Sequence, residues 1–165
     1  MTTIRQADVA DTEAIQKLAA DVWWPTYSTI LSKEQIEYML GRMYDATVIQ
    51  EQISTGTQTY ILLYAEGELT GFAAYSPRPG NNDVYKLHKL YCLTRTKGMG
   101  YGKQLLQAVE KAVLNAGKSM LELNVNRSNP AIGFYEKMGF SIAYTEDIDI
   151  GNGYEMNDYV MRKQL

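Results

Sequence analysis

Between Val84 and Phe140 the chain reads as an apolar strand, a glycine-rich loop, an amphipathic helix, a second strand and a short helix ending at Gly139-Phe140. That order leaves few folds open. The loop is Lys97-Gly98-Met99-Gly100-Tyr101-Gly102, with Lys103 starting the helical pattern. Glycines at alternate positions let the backbone turn tightly and approach a ligand where a Cβ would stand in the way. The helix that follows offers unpaired N–H groups and the positive end of its dipole. A loop of this kind suits an anion, and phosphate is the common biological one. Arg95, Lys97 and Lys103 add charge of the right sign. Two familiar phosphate loops do not fit. A P-loop would need glycine at 97 and serine or threonine at 104, where the chain has Lys97 and Gln104. A dinucleotide fingerprint from Gly98 would need a glycine where Lys103 stands.

The rest of the chain supplies the frame. Thr2–Gln6 predicts a first strand, and Asp11 predicts the cap of a helix whose Ile15, Leu18, Ala19 and Val22 recur at i, i+3, i+4, i+7. Pro25 is expected to end that helix. Ser32 and Gln35 form a capping-box pattern before a second amphipathic helix, and a third covers about Ala46 to Ser54. Thr57–Ala65 and Leu69–Ser76 flank Glu66-Gly67-Glu68 as a hairpin, and the stretch from Pro77 to Asp83 has loop composition. Gly117 sits at a helix C-cap position, Ser119–Val125 is a strand, and Ser141–Ile150 and Tyr154–Lys163 flank a last glycine turn. The order β-α-α-α-β-β-β-α-β-α-β-β predicts an α/β fold with a mixed sheet, in one domain over 1–165.

The loop Lys97-Gly98-Met99-Gly100-Tyr101-Gly102 resembles the acyl-CoA loop of the GNAT superfamily of N-acetyltransferases, with lysine where Gln or Arg is usual. The likeness extends upstream to Leu90-Tyr91-Cys92 and downstream to Ala131-Ile132-Gly133-Phe134-Tyr135 with Gly139-Phe140. Specific motif identity is confined to 87–140, while the element order matches over the whole chain. The ending Gly153-Tyr154-Glu155-Met156-Asn157-Asp158-Tyr159 and the early Trp-x-x-Thr-Tyr are similar to a bacterial subgroup that includes polyamine acetyltransferases.

The resemblance implies the GNAT fold, a mostly antiparallel mixed sheet with helices on both faces. It implies acetyl-CoA as cofactor and direct transfer to a primary amine, with no acyl-enzyme. It assigns cofactor binding to Leu90, Tyr91 and Cys92 through their backbone, to Lys97 through Lys103, and to Asn126, Asn129 and Tyr135. The usual asparagine position before the last helix holds Ser128. Tyr135 is the implied general acid, since a phenol is protonated near neutral pH and can donate to a departing thiolate. Some relatives carry a glutamate base on the central strand, and the matching positions here are Lys86 or His88. His88 has a suitable ordinary pKa. Glu122 on the next strand and a water chain stay open as alternatives. Strict alternation puts Val84, Lys86, His88, Leu90 and Cys92 on one face.

Trp23, Trp24, Tyr27, Tyr60 and Tyr75 are candidates to line the acceptor side, because aromatic faces attract a cationic amine. Glu155 and Asp158 add carboxylates. A net charge of −3 disfavours nucleic acid and anionic membrane surfaces as partners. One cysteine and one histidine leave no internal disulfide and no zinc-type cluster, so no metal is expected. The absence of a long apolar run or a signal-peptide core gives a cytoplasmic expectation. The acceptor is expected to be a small-molecule amine, with a polyamine first. A non-catalytic acyl-CoA-binding protein and a protein N-terminal or lysine acetyltransferase are the alternatives. A homodimer is compatible with the sequence.

Overall fold

A computed structural model describes residues 1–165. Strands β1 (Thr2–Gln6), β2 (Thr59–Ala65), β3 (Glu68–Arg78), β4 (Asn81–Cys92), β5 (Met120–Asn126), β6 (Ser141–Gly151) and β7 (Tyr154–Gln164) form one sheet. Its order is β1-β2-β3-β4-β5-β7-β6. Every neighbouring pair is antiparallel except β4 and β5, which run parallel at the centre. Helices α1 (Thr12–Tyr27), α2 (Lys33–Met43) and α3 (Ala46–Thr55) come before β2, while α4 (Tyr101–Asn115) and α5 (Ala131–Lys137) flank β5 in sequence. This is the GNAT fold expected above.

Two hydrophobic cores occupy the two faces of the sheet. Ile15, Leu18, Ala19 and Val22 of α1 pack with Leu62 and Phe72 on one face. On the other, Leu105, Leu106, Val109 and Val113 of α4 pack with Leu63, Leu121 and Leu123. Alternation along β2 explains the division, since Leu62 and Leu63 point to opposite sides. Each fully buried Leu, Ile, Val or Phe side chain among them stabilises the fold by roughly 1.5–3 kcal/mol.

Several local expectations change in the folded chain. Asp11 does not cap α1; its carboxylate accepts from the Asp8 N–H at 2.8 Å and pairs with Arg5 at 2.7 Å. Pro25 lies inside α1, which continues to Tyr27, where Tyr27 is buried against the first core. Losing one helical hydrogen bond near the end is offset by that burial. Ser32 accepts from the Gln35 N–H at 3.1 Å, but the Gln35 side chain turns away and donates to the Glu155 carbonyl at 3.0 Å. Only half of the capping box forms, and the other half ties α2 to the last hairpin. The expected loop at 77–83 shrinks to a turn at Pro79-Gly80, because β3 runs on to Arg78 and β4 begins at Asn81. A register shift between Pro77 and Arg78 accommodates the proline there.

Two irregularities in β4 create the site. Its pairing with β5 stops at Leu87↔Leu123, so beyond that point the two parallel strands part. The register with β3 also slips, from Ala74↔Lys89 to Tyr75↔Leu87, leaving His88 as an extra residue in a bulge. The bulge overturns the single face expected for Val84 through Cys92. Leu87, Leu90 and Cys92 share the α4 side, whereas Tyr91 packs on the α1 side.

Candidate active site

The gap between β4 and β5 opens into a cleft of about 590 Å³. It reaches from Cys92 and Tyr135 across the sheet to α2, α3 and the β6–β7 hairpin. On the α4 side the backbone dominates. Gly98 and Gly100 have φ of 87° and 81°, a left-handed conformation that glycine adopts without strain. A Cβ on either would meet nothing within 4 Å, so the space over the loop is open. Gly100 is the N-cap of α4 and no side chain caps the helix, which leaves its first N–H groups unclaimed. Gly102 is different, since its Cβ would come 3.5 Å from the Phe134 ring, an ordinary contact. Lys97, Met99 and Lys103 are exposed beside the loop and Tyr101 is partly buried. Arg95 is not free for an anion, because it is paired with Glu68.

The unpaired β5-facing edge of β4 from His88 to Cys92 presents main-chain groups into the gap. An extended chain could add to that edge as a strand would. A diphosphate over an uncapped glycine loop and a pantetheine arm along this edge are what the residues fit. Tyr135 lies buried at the same gap, packed edge-on against Phe134 and Phe140. Burial holds its phenol protonated well above its ordinary range, with the nearby Tyr27 and Cys92 acting in the same direction. Cys92 is pushed up to about 12 by burial, so it stays a thiol. Asn126 and Asn129 line the cleft and also hold the turn before α5: their carbonyls accept from Ser128 N–H at 2.9 Å and Ala131 N–H at 2.8 Å. Asn129 donates to the Tyr27 hydroxyl at 3.4 Å.

The α1 side is made of side chains from distant segments. Trp23 and Tyr27 line the cleft with ring centroids 4.5 Å apart. Trp24 packs against the first core away from the cleft wall, because it sits one helical step round from Trp23. Tyr75 lies on the opposite face of the sheet, against Tyr85 and the α4 core, because alternation along β3 turns it there. Tyr60 is 1% exposed and spends its hydroxyl on Gln52 and Lys89. Of the five aromatics expected at the acceptor, Trp23 and Tyr27 therefore line the cleft. Glu122 is excluded as a free base, since Arg162 pairs with it at 2.8 Å and Arg78 at 3.4 Å.

His88 lines the cleft with its Nε2 2.7 Å from the Ser76 hydroxyl. Burial, reinforced by Lys86 and Lys89, lowers its pKa to about 4. It is neutral at physiological pH but a weaker base than an ordinary histidine. Asp158 of β7 is 5% exposed and lines the cleft. Its Oδ2 accepts from Asn124 at 3.3 Å, while its Oδ1 has no partner. Burial, with Glu146 adding repulsion, raises its pKa. A buried carboxylate oxygen without a donor is costly, and an ammonium supplies what it lacks. Glu155, the other carboxylate expected here, is exposed outside the cleft. Lys89 and Arg42 also line the cleft, and no local pattern in the sequence marks either.

Comparison with known proteins agrees with this fold. The profile of the Acetyltransferase (GNAT) family matches residues 18–140. A spermidine N(1)-acetyltransferase of Thermoplasma acidophilum is 27% identical over 151 residues, covering 88% of this chain and 92% of the relative. An uncharacterized N-acetyltransferase of Bacillus subtilis, YuaI, is 27% identical over 138 residues, covering 82% of this chain and 78% of the relative. The crystal structure of the PaiA N-acetyltransferase of Thermoplasma acidophilum in complex with coenzyme A superposes with a TM-score of 0.86 at 26% identity. That match covers 100% of this chain and 99% of the other.

Proposed function

The chain belongs to the GNAT family of acetyltransferases, and from that premise we propose that its cleft acetylates a small molecule entering as an ammonium, in the first instance a polyamine. The protein is an acetyl-CoA-dependent N-acetyltransferase. Bound acetyl-CoA supplies the activated acetyl group as a thioester. The open glycine loop and the start of α4 hold its diphosphate, and the free edge of β4 holds the arm. A main-chain N–H at Cys92 polarises the reacting carbonyl, an effect strengthened by low local dielectric. Tyr135, kept protonated by burial, donates its proton to the departing sulfur.

The observation that carries the acceptor reading is the unpartnered Oδ1 of Asp158 inside the cleft. This oxygen receives the incoming ammonium, and burial strengthens the carboxylate as a proton acceptor while it weakens His88. Direct attack needs the free amine, so a proton must leave before the carbon–nitrogen bond forms. The polyamine reading is supported by the spermidine acetyltransferase among the relatives.

The test is thiol release from acetyl-CoA with spermidine, amino acids and N-terminal peptides compared under one set of conditions. Spermidine is expected to give the highest kcat/KM of that panel. Asp158→Asn is expected to lower kcat/KM for spermidine by about 10- to 100-fold, the scale of one charged hydrogen bond, with CoA affinity unchanged. A panel in which polyamines give no turnover removes the polyamine reading. An Asp158→Asn enzyme with unchanged kcat/KM removes Asp158 from the acceptor site.

A further inference from the structure

The cleft has a second arm that acetyl transfer does not use. Lys89, 4% exposed, leaves β4 on the α1 side and leans across Ala74 of β3 toward β2. Its Nζ donates to the Tyr60 hydroxyl at 2.6 Å and to Gln58 Oε1 at 2.9 Å. The Tyr60 hydroxyl in turn donates to Gln52 Oε1 at 2.6 Å. Lys89, Gln52 and Gln58 all line the cleft, together with Val48 of α3 and Met43 of α2.

The direction of these bonds is set by Lys89, which can only donate while protonated. Gln58 must therefore offer its carbonyl to Nζ. Tyr60, having accepted from Nζ, must pass its own proton to the Gln52 carbonyl. Each of these three oxygens thereby already accepts one hydrogen bond. The donors left over are one N–H of Lys89 and the amide NH₂ groups of Gln52 and Gln58. No carboxylate pairs with Lys89, and the rings of Tyr60 and Tyr44 lie 4.8 and 5.5 Å from its Nζ. A buried cation facing a cavity with no anion beside it is poorly compensated, which lowers the Lys89 pKa to about 7, and a bound carboxylate would hold the proton on Nζ. Arg42 and Lys86 line the same cleft, and Asp158, its one carboxylate, stands across the β4–β5 gap from Lys89.

We infer that this recess binds a hydrogen-bond-accepting group of the acceptor molecule, a carboxylate or an amide carbonyl, and rejects a second ammonium. Asp158 stands on the other side of the β4–β5 gap, on β7, so the reacting nitrogen lies between the two. Lys89 reaches over β3, placing its head roughly 5–10 Å from β4 at ordinary strand spacing. Five or six carbons between nitrogen and carboxylate span that distance. A polyamine acetylated here must keep its other ammonium groups out of this recess, away from Lys89. For its substrates the inference rests on the acceptor reading above; for carboxylate binding it does not.

The experiment compares hexylamine, hexamethylenediamine and aminocaproate as acceptors, with the wild-type enzyme and Lys89→Met. In parallel, calorimetry measures caproate binding to the CoA-loaded protein. The wild type is expected to favour aminocaproate over both hexylamine and hexamethylenediamine by about tenfold or more, the scale of a charge-assisted hydrogen bond. Lys89→Met should bring the three within about threefold of one another and weaken caproate binding by about tenfold. Gln58→Leu, which removes a donor and leaves the cation, should weaken caproate binding less, and CoA affinity in both variants reports an intact fold. A wild type that uses the diamine as well as aminocaproate, or a Lys89→Met enzyme that keeps the preference, overturns the inference. If none of the three amines is acetylated, the acceptor reading fails and the caproate measurement decides alone: binding lost in Lys89→Met supports the recess, and no binding to the wild type overturns it.

Discussion

The two sides of the gap between β4 and β5 are built on different principles. On the α4 side the machinery is main chain: a loop whose Gly98 and Gly100 have positive φ, an uncapped helix start and a strand edge left unpaired. All of it comes from one continuous stretch. On the α1 side the machinery is side chains brought in from α1, α2, α3, β4 and β7, and their charges matter because they are buried. A backbone site depends on conformation, so single side-chain changes leave it alone unless they alter φ or fill the open space. A side-chain site depends on which groups meet, so one substitution there changes charge and proton affinity without disturbing the cofactor.

The largest effect should come from breaking the backbone side at Gly100. Valine there must adopt a φ that β-branched residues avoid, and its methyls enter the open space above the loop. Gly100→Val is expected to cost about 1–3 kcal/mol of stability and to weaken CoA binding by about 100-fold or more, as two charged hydrogen bonds are lost. Calorimetry on the folded variant checks this, and unchanged affinity would remove the loop from the cofactor site. Tyr135, which stands where the two sides meet, should separate binding from chemistry. Tyr135→Phe is expected to lower kcat by about 100-fold while CoA affinity holds; an unchanged rate at saturating acetyl-CoA would leave the residue a packing role only.

A smaller effect is specific to the side-chain face. His88 has its pKa lowered to about 4 from an ordinary 6.5. Above pH 6.5 it is neutral in both folded and unfolded chains, and its contribution to stability is fully present. As pH falls from 6.5 toward 4 the unfolded chain takes up the proton first, so stability declines across that window by at most about 3 kcal/mol. Denaturant unfolding at several pH values should show this slope, and His88→Gln should flatten it. A slope that survives in the variant would assign it to other groups. The smallest effect tests the limit of the glycine argument. Gly102 has an ordinary φ, and its added Cβ would make only van der Waals contact with Phe134. Gly102→Ala should change stability by less than about 1 kcal/mol, measured by the same unfolding. A large loss would mean that the loop requires three glycines.

The element order and the glycine loop were readable directly, because strand alternation, helical periodicity and glycine at a turn are local properties of consecutive residues. The same locality explains the errors. Asp11 looks like a cap until Arg5 and the Asp8 N–H claim its carboxylate. Tyr75 and Trp24 look like cleft aromatics until the pleat and the helix turn set their faces. Glu122 looks like a free base until Arg162 and Arg78 arrive from β7 and β3.

By itself, the sequence determined where the backbone could take a left-handed turn, which helices were amphipathic, and that a strand–loop–helix unit suited to a diphosphate lay at the centre. Only the tertiary structure decided that β4 and β5 part after Leu87 and Leu123. It also decided that a bulge at His88 turns Leu90 and Cys92 to the α4 face, and that Asp158 keeps an oxygen unpaired in the cleft. The physical reason is that conformational preference is a property of a residue and its neighbours in sequence. Burial, pairing and proton affinity depend on what the rest of the chain brings into contact. Lys89 shows the difference most clearly: in the sequence it is one lysine among several, and in the fold it is a buried cation with its pKa lowered to about 7 and no anion beside it.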